Sequence, residues 1–181
     1  MTAEPTVLGP TELDNAGAVG ETIQVAIVTA DLKNALDHLT TLGIGPWMVM
    51  ELGPHNSDMK YKGEKSEISM KVAFTNHGSM MWEVIQPTGG RNIYQDFLDE
   101  GKQGFHHVGI DGGGKPYAEQ EAELKRRGYE EVQGGTAFDG NVPFAYFHNG
   151  AADSPLVEIF EFPEGFEPEP DEWYPAPPPA A

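Results

Sequence analysis

Four polar side chains sit where apolar strands would carry them: Gln24, Glu83, His107 and Glu158. Glu83 lies between Trp82 and Val84, and Glu158 between Val157 and Ile159. An ionised carboxylate in an apolar strand is costly unless it is paired, hydrogen-bonded or bound to a cation. The segments around the four positions hold no Lys or Arg to pair with them. One imidazole, two carboxylates and an amide oxygen make a donor set for a divalent metal with positions left open to water. Its oxygen-rich character suits octahedral Mn, Co, Ni, Fe or Zn rather than a closed tetrahedral zinc site. Taken singly, each Glu also reads as a solvent-facing strand residue, because alternation turns half of a strand outward. His107 alone reads as an ordinary hydrogen-bonded histidine, and the four together as a hydrogen-bonded group across a seam. Their matched placement in the chain favours the joint, metal-holding reading.

Bringing the four together requires a chain that repeats itself. Residues 23–28 form a short apolar strand, and Asp31 stands at an N-cap position ahead of Leu32, Ala35, Leu36, Leu39 and Leu42. That spacing predicts an amphipathic helix stopped by Gly43. Strand-like runs follow at 47–52, 67–75 and 80–86, with a polar, glycine-bearing loop over 53–65. Pro87-Thr88-Gly89-Gly90 breaks the chain, and 93–98 predicts a short helix ending at Gly101. The order then restarts: a strand at 105–111, a Gly112-Gly113-Gly114 turn, and a helix over 116–127 with Pro near its start and Gly128 past its end. Strands are predicted at 129–132, 144–148 and 156–162. Each half therefore reads βαβββ. Gln24-Val25-Ala26-Ile27 parallels His107-Val108-Gly109-Ile110, and Glu83-Val84-Ile85 parallels Glu158-Ile159-Phe160. The separations are similar, 59 residues from Gln24 to Glu83 and 51 from His107 to Glu158, as an internal duplication requires.

Composition narrows the partners. The 181 residues carry 11 basic and 29 acidic side chains, a net charge of −18, which argues against nucleic acid or an anionic membrane. Hydrophobic residues at 39% suffice for a sizeable core. With no cysteine, disulfides, Cys-ligated zinc, iron–sulfur clusters and a Cys nucleophile are excluded. No apolar run approaches the roughly 18 residues of a membrane span. The first twenty residues lack the features of a signal peptide, so a cytoplasmic protein is expected. The chain divides into an N-terminal arm (1–21), a first module (22–90), a linker with a short helix (91–104), a second module (105–163) and an acidic, proline-rich tail (164–181). The tail can form neither a helix nor an interior strand. Phe166, Trp173 and Tyr174 could pin it to the surface, and a lid or a dimer-wrapping arm is the alternative to a solvated tail.

Specific words in the chain carry a family resemblance: Val25-Ala26-Ile27-Val28 with Asp31-Leu32, Gly43-Ile44-Gly45-Pro46-Trp47, Trp82-Glu83-Val84-Ile85-Gln86-Pro87, Gly104-Phe105-His106-His107-Val108-Gly109-Ile110 and Val157-Glu158-Ile159. Over about residues 22–163 the duplicated layout resembles the vicinal oxygen chelate superfamily, which includes glyoxalase I, methylmalonyl-CoA epimerase, extradiol dioxygenases and bleomycin-resistance proteins. The stretch from Glu83 to His107 is most similar to the glyoxalase-like epimerase branch. The resemblance implies an α+β fold in which two βαβββ modules form a paired, mixed β-sheet enclosing a cleft. It also implies that Gln24, Glu83, His107 and Glu158 hold a divalent metal ion (Zn, Ni, Co, Mn or Fe). The first ligand position is His in epimerases and dioxygenases and Gln in some glyoxalases I, so Gln24 is similar to the latter. That counts against an extradiol dioxygenase, and the complete donor set counts against a metal-free bleomycin binder.

The resemblance further implies a small-molecule carbonyl substrate chelated by the metal, with Glu158 as the base and Glu83 as its counterpart. A metal-dependent isomerase or epimerase working through an enolate follows. The alternatives are a lyase or cyclisation catalyst sharing that enolate, or a non-catalytic small-molecule binder. Members are often dimers, so a homodimer is a further expectation. His106 precedes the proposed ligand and is expected on the opposite face, supporting the site from behind or facing solvent. Trp47, Met50, Met70 and Trp82 are the expected substrate-contacting residues, with ordinary sheet core as their other reading. Few basic residues are placed to grip a CoA or glutathione moiety, and Lys125-Arg126-Arg127 suits a helix C-terminus. A neutral, mostly apolar carbonyl compound fits better.

Overall fold

The computed structural model describes residues 19–178, so most of the arm expected over 1–21 and the last three residues of the tail lie outside the described residues. In chain order the strands are β1 (Glu21–Val28), β2 (Trp47–Leu52), β3 (Asp58–Tyr61), β4 (Glu64–Ser66), β5 (Ser69–His77), β6 (Met80–Gly89), β7 (Gly104–Asp111), β8 (Glu130–Ala137), β9 (Val142–His148), β10 (Leu156–Phe160) and β11 (Glu172–Tyr174). The helices are α1 (Leu32–Thr41), α2 (Ile93–Asp99) and α3 (Tyr117–Arg126). All eleven strands join one curled sheet in the order β11-β2-β5-β6-β1-β7-β10-β9-β8-β3-β4. This is the α+β architecture expected from the two βαβββ halves. The seam is the antiparallel pair β1–β7, and in each half the first strand runs parallel to the last, β1 with β6 and β7 with β10.

A local cap accounts for the start of the first half's opening helix, and packing on the outer face holds the opening helix of each half. Asp31 is extended and its carboxylate accepts from Asn34 N at 3.0 Å, capping α1. Leu32 and Leu36 then pack on Trp47, Val49, Ala73 and Val84, an outer face that α1 covers. Leu124 of α3 packs in the same way on Ala145, Phe147, Val157 and Ile159 of the second half. Burying each such side chain is worth about 1.5–3 kcal/mol. The opposite, inner face belongs to both halves at once: Val28, Met50, Met70, Val72 and Ile85 meet Phe144 and Tyr146 there, with Ile93 and Tyr94 of α2.

The 53–65 segment departs from the loop expected of it. Its strands β3 and β4 form a hairpin closed by Lys62 and Gly63, both at positive φ (49° and 80°), the two-residue turn that suits the twist of paired strands. An isolated hairpin is marginal in water. This one is held by pairing β3 with β8, so a piece of the first half extends the sheet of the second. The tail obeys its prolines: the proline-free stretch between Pro170 and Pro175 supplies the edge strand β11, which pairs with β2. No helix among the described residues is long and apolar enough to cross a membrane.

Candidate metal centre

Register brings the four expected ligands to one point. Glu83 lies opposite Ala26, two residues beyond Gln24 on β1. Glu158 lies opposite Gly109, two residues beyond His107 on β7. The halves thus present their donors with the same offset, and alternation turns all four to the inner face. Gln24 Nε2 donates to Glu83 Oε2 at 3.0 Å. His107 Nε2 stands 3.1 Å from Glu158 Oε2 and 3.2 Å from Glu83 Oε2. The cluster is nearly sealed, with exposures of 2% for Gln24, 5% for Glu83, 3% for His107 and 6% for Glu158.

Sealing two carboxylates without a Lys or Arg leaves the imidazole as their partner. Burial, with the charge of Glu158, pushes Glu83 up to about 7. Burial opposes a charge on His107, but the two carboxylates outweigh it and hold the ring up at about 9. Without a cation the cluster therefore keeps a proton between its halves. Among the described residues, Glu83, His107 and Glu158 form a group whose donor atoms all lie within 4.8 Å of one another, close enough to share one ion.

Gln24 provides the test of whether such an ion fits. Its Oε1 is buried with no hydrogen-bond partner, a costly condition for an amide oxygen. A Cβ at position 109 would overlap that oxygen, so Gly109 is what makes room for it. An imidazole nitrogen, two carboxylates and an unsatisfied amide oxygen, with no thiolate nearby, match a borderline divalent cation. The residues fit the metal.

Two further polar groups escaped sequence reasoning. Tyr94 of α2 donates to the Tyr146 hydroxyl at 2.8 Å, and both side chains line the cavity above the cluster. The Tyr146 ring also meets the His107 ring edge-on at 4.8 Å. Burial and then the charge of Glu158 push both phenols well above their usual value, so they stay protonated donors. Since Tyr94 spends its proton on Tyr146, the Tyr146 proton is left to give to a bound oxygen. The one available signal was position: Tyr146 shares its face of β9 with Phe144 and stands opposite Glu158 on β10.

The cavity above the cluster has a volume of about 50 Å³ and opens to solvent. Its floor is Gln24, Glu83 and Glu158, and its walls are apolar, including Leu52, Met70, Phe74, Met81, Phe144 and Phe160. Among the described residues, no Lys or Arg lines it. Of the expected substrate contacts, Met70 lines this cavity. Met50 shares the same inner core but opens onto a neighbouring hollow beside Phe138 and Phe166. Trp47 and Trp82 are not brought to the site. Both lie on the outer face, Trp47 fully buried beneath α1. Alternation counted from Glu83 assigns Met81, not Trp82, to the cleft.

His106 also departs from expectation. On β7 the register jumps from Ala26 opposite His107 to Ile27 opposite Phe105, so His106 is the extra residue of a β-bulge. A bulge re-aims a side chain. The His106 ring turns towards its neighbour, with Nδ1 2.9 Å from His107 Nδ1, instead of pointing to the opposite face. Burial, then the nearby His107, pushes His106 down to about 3.

Known proteins place this geometry in a family. No curated relative matches the chain. Among solved structures it is similar to a hypothetical protein from Bacillus halodurans C-125, at 19% identity and a TM-score of 0.59 over 82% of this chain and 99% of that one. It is similar also to methylmalonyl-CoA epimerase from Mycobacterium tuberculosis, at 16% identity and a TM-score of 0.53 over 80% of this chain and 88% of that one. A Streptomyces coelicolor methylmalonyl-CoA epimerase variant in complex with 2-nitronate-propionyl-CoA gives 13% identity and a TM-score of 0.53 over 83% of this chain and 100% of the other. Identities this low speak for the fold alone. The sequence profile described as Glyoxalase/Bleomycin resistance protein/Dioxygenase superfamily matches residues 23–146, a span that includes Gln24, Glu83, His107 and Tyr146, and the chain belongs to that superfamily.

Proposed function

We propose that the protein is a metal-dependent isomerase or epimerase that moves a proton on a small, neutral, mostly apolar carbonyl compound. The observation that carries this reading is the buried Gln24–Glu83–His107–Glu158 cluster beneath an apolar cavity that no Lys or Arg lines among the described residues. Those four residues would hold a divalent cation of the Zn, Ni, Co, Mn or Fe group. When bound, such a cation supplies Lewis-acid stabilisation to the oxygen on which negative charge develops.

The chain's own groups do the rest. Glu158 removes the proton next to the carbonyl, and Glu83, from the other half, delivers one on the opposite side. General acid–base work of this kind is worth about 10²–10⁴-fold in rate. Tyr146, oriented by Tyr94, donates a hydrogen bond to the same oxygen. Apolar walls exclude water, which strengthens each of these interactions. The basic residues missing from the walls and the net charge of −18 both disfavour a phosphorylated thioester, so the substrate reading departs from that of the epimerases of similar fold. A lyase or cyclisation reaction would start from the same proton removal and differ only in its product.

The test is elemental analysis of untagged protein, wild type beside His107→Ala, followed by solvent-deuterium exchange into candidate carbonyl compounds. Near-stoichiometric metal that is lost in the variant, with deuterium entering a substrate carbon, is the expected result. Wild type that stays metal-free after incubation with Zn, Mn, Co, Ni and Fe overturns the reading. Tight ligand uptake without metal or exchange would identify a binding protein instead.

A further inference from the structure

We propose that His106 is a positioning residue that fixes the proton of His107 on Nδ1 and so presents the His107 Nε2 lone pair to the cation. The inference rests on the metal reading above and deepens it.

The geometry allows few alternatives. The two Nδ1 atoms face each other at 2.9 Å, a hydrogen-bond distance with room for one proton between them. That proton sits on one ring, and the other ring accepts. The far side of His107 decides which. Its Nε2 faces Glu83 Oε2 at 3.2 Å and Glu158 Oε2 at 3.1 Å, where the donor atoms of the three side chains converge. A cation held there takes the Nε2 lone pair, so the hydrogen of a neutral His107 is on Nδ1. The Nδ1 of His106 then accepts it, and the hydrogen of a neutral His106 is on Nε2.

The surroundings hold His106 to this task. Its ring packs against Phe97 at 5.0 Å and Tyr94 at 5.5 Å, both from α2, whose first residue is Ile93. The bulge in β7 is what lets two successive side chains meet, because regular alternation would send them to opposite faces. A metal-bound histidine usually gives its second N–H to a carboxylate, a backbone carbonyl or water, and losing that partner typically costs about 10–100-fold in metal affinity. Here another histidine, packed against α2, takes that place.

The test combines two measurements on the full chain. In ¹⁵N-histidine-labelled wild type loaded with zinc, NMR should show His107 protonated on Nδ1, His106 protonated on Nε2, and a coupling between the two Nδ1 atoms. The reverse tautomers, or no coupling, overturn the proposal. Cobalt(II) titration should show His106→Leu binding about 10–100-fold more weakly, with an altered visible spectrum. His106→Asn, whose side-chain oxygen replaces the Nδ1 acceptor, should recover most of the loss. A Leu variant with wild-type affinity and spectrum, or an Asn variant no better than Leu, equally overturns it. If His106→Leu fails to fold, the wild-type NMR result decides alone. If wild type takes up no metal, the metal reading fails, and the coupling in the metal-free protein still tells whether His107 donates to His106.

Discussion

The two halves follow one chain path and meet at one seam, yet they treat their candidate ligands differently. In the second half His107 is held from several sides: His106 behind it, Glu158 in front and the Tyr146 ring against its edge. In the first half Gln24 makes one hydrogen bond, to Glu83, and its oxygen rests in the space that Gly109 leaves. The second half packs closely around its candidate nitrogen ligand, while the first offers a candidate oxygen ligand with fewer partners. The shared register places the donors, and what packs behind them decides what each can do.

Substitution at the two carboxylates should split the halves most widely. Glu158→Gln should slow proton exchange into substrate by about 10²–10⁴-fold, the range for loss of a general base. Glu83→Gln should reduce the same rate less. Equal losses, measured as initial deuterium incorporation, would show that the carboxylates act interchangeably and would break the comparison.

Much of this asymmetry was legible in the chain and some was not. The matched words around Gln24 and His107, and around Glu83 and Glu158, located all four converging donors. The Asp31 cap and the leucine spacing after it located α1. What stayed hidden depends on distant partners. The β3–β4 hairpin consists largely of charged residues and exists by pairing with β8. The bulge that turns His106 towards His107 follows from cross-strand register, which no local pattern reveals. Tyr94 reaches the cavity from a helix and Tyr146 from β9, so their meeting is a property of the closed sheet. Trp47 and Trp82 have the size of cleft residues, but strand parity turns both to the outer face.

Removing the metal should expose the seam itself. A cation at about one hundred times its Kd should add about 2.7 kcal/mol of stability, read as a fall in melting temperature after chelation. In the stripped protein Glu83 sits at about 7 against 4.5 in an unfolded chain, and His107 at about 9 against 6.5. The folded chain thus keeps protons that the unfolded chain releases. The cluster's contribution is fully present below the unfolded values and is lost as pH rises through about 7 and then about 9. Metal uptake must displace that proton, so cation affinity should rise over the same range. A stripped protein whose melting temperature climbs from pH 6 to pH 9 would contradict a proton-held seam.

A smaller contrast comes from the residues facing the two first-strand ligands. Gly109 lies opposite Gln24, and Ala26 lies opposite His107. Gly109→Ala puts a methyl group onto the Gln24 amide and against Phe160. It should weaken cobalt binding at least tenfold, or about 1.4 kcal/mol. Ala26→Gly adds only backbone freedom, costs about 0.5–1 kcal/mol of stability, and should leave cobalt affinity unchanged. Equal effects on affinity would mean that the two halves hold their candidate ligands alike.

The opening helices offer the finest comparison, because they begin by different means. α1 is capped locally, with Asp31 accepting from Asn34 N. α3 starts at Pro116 without a side-chain cap of its own, and the Tyr117 N–H is instead taken by Glu161 Oε2 at 2.7 Å, from the far end of the same half. Asp31→Ala should cost about 1 kcal/mol, the usual worth of an N-cap, seen as a shift in the urea midpoint at constant slope. Glu161→Ala removes an exposed bond that closes a long stretch of chain, and water can replace it, so its cost should be a few tenths of a kcal/mol. If Glu161→Ala proved the costlier of the two, α3 would depend on β10 for its existence. The second half would then be the more cooperative unit around its helix as well as around its ligand.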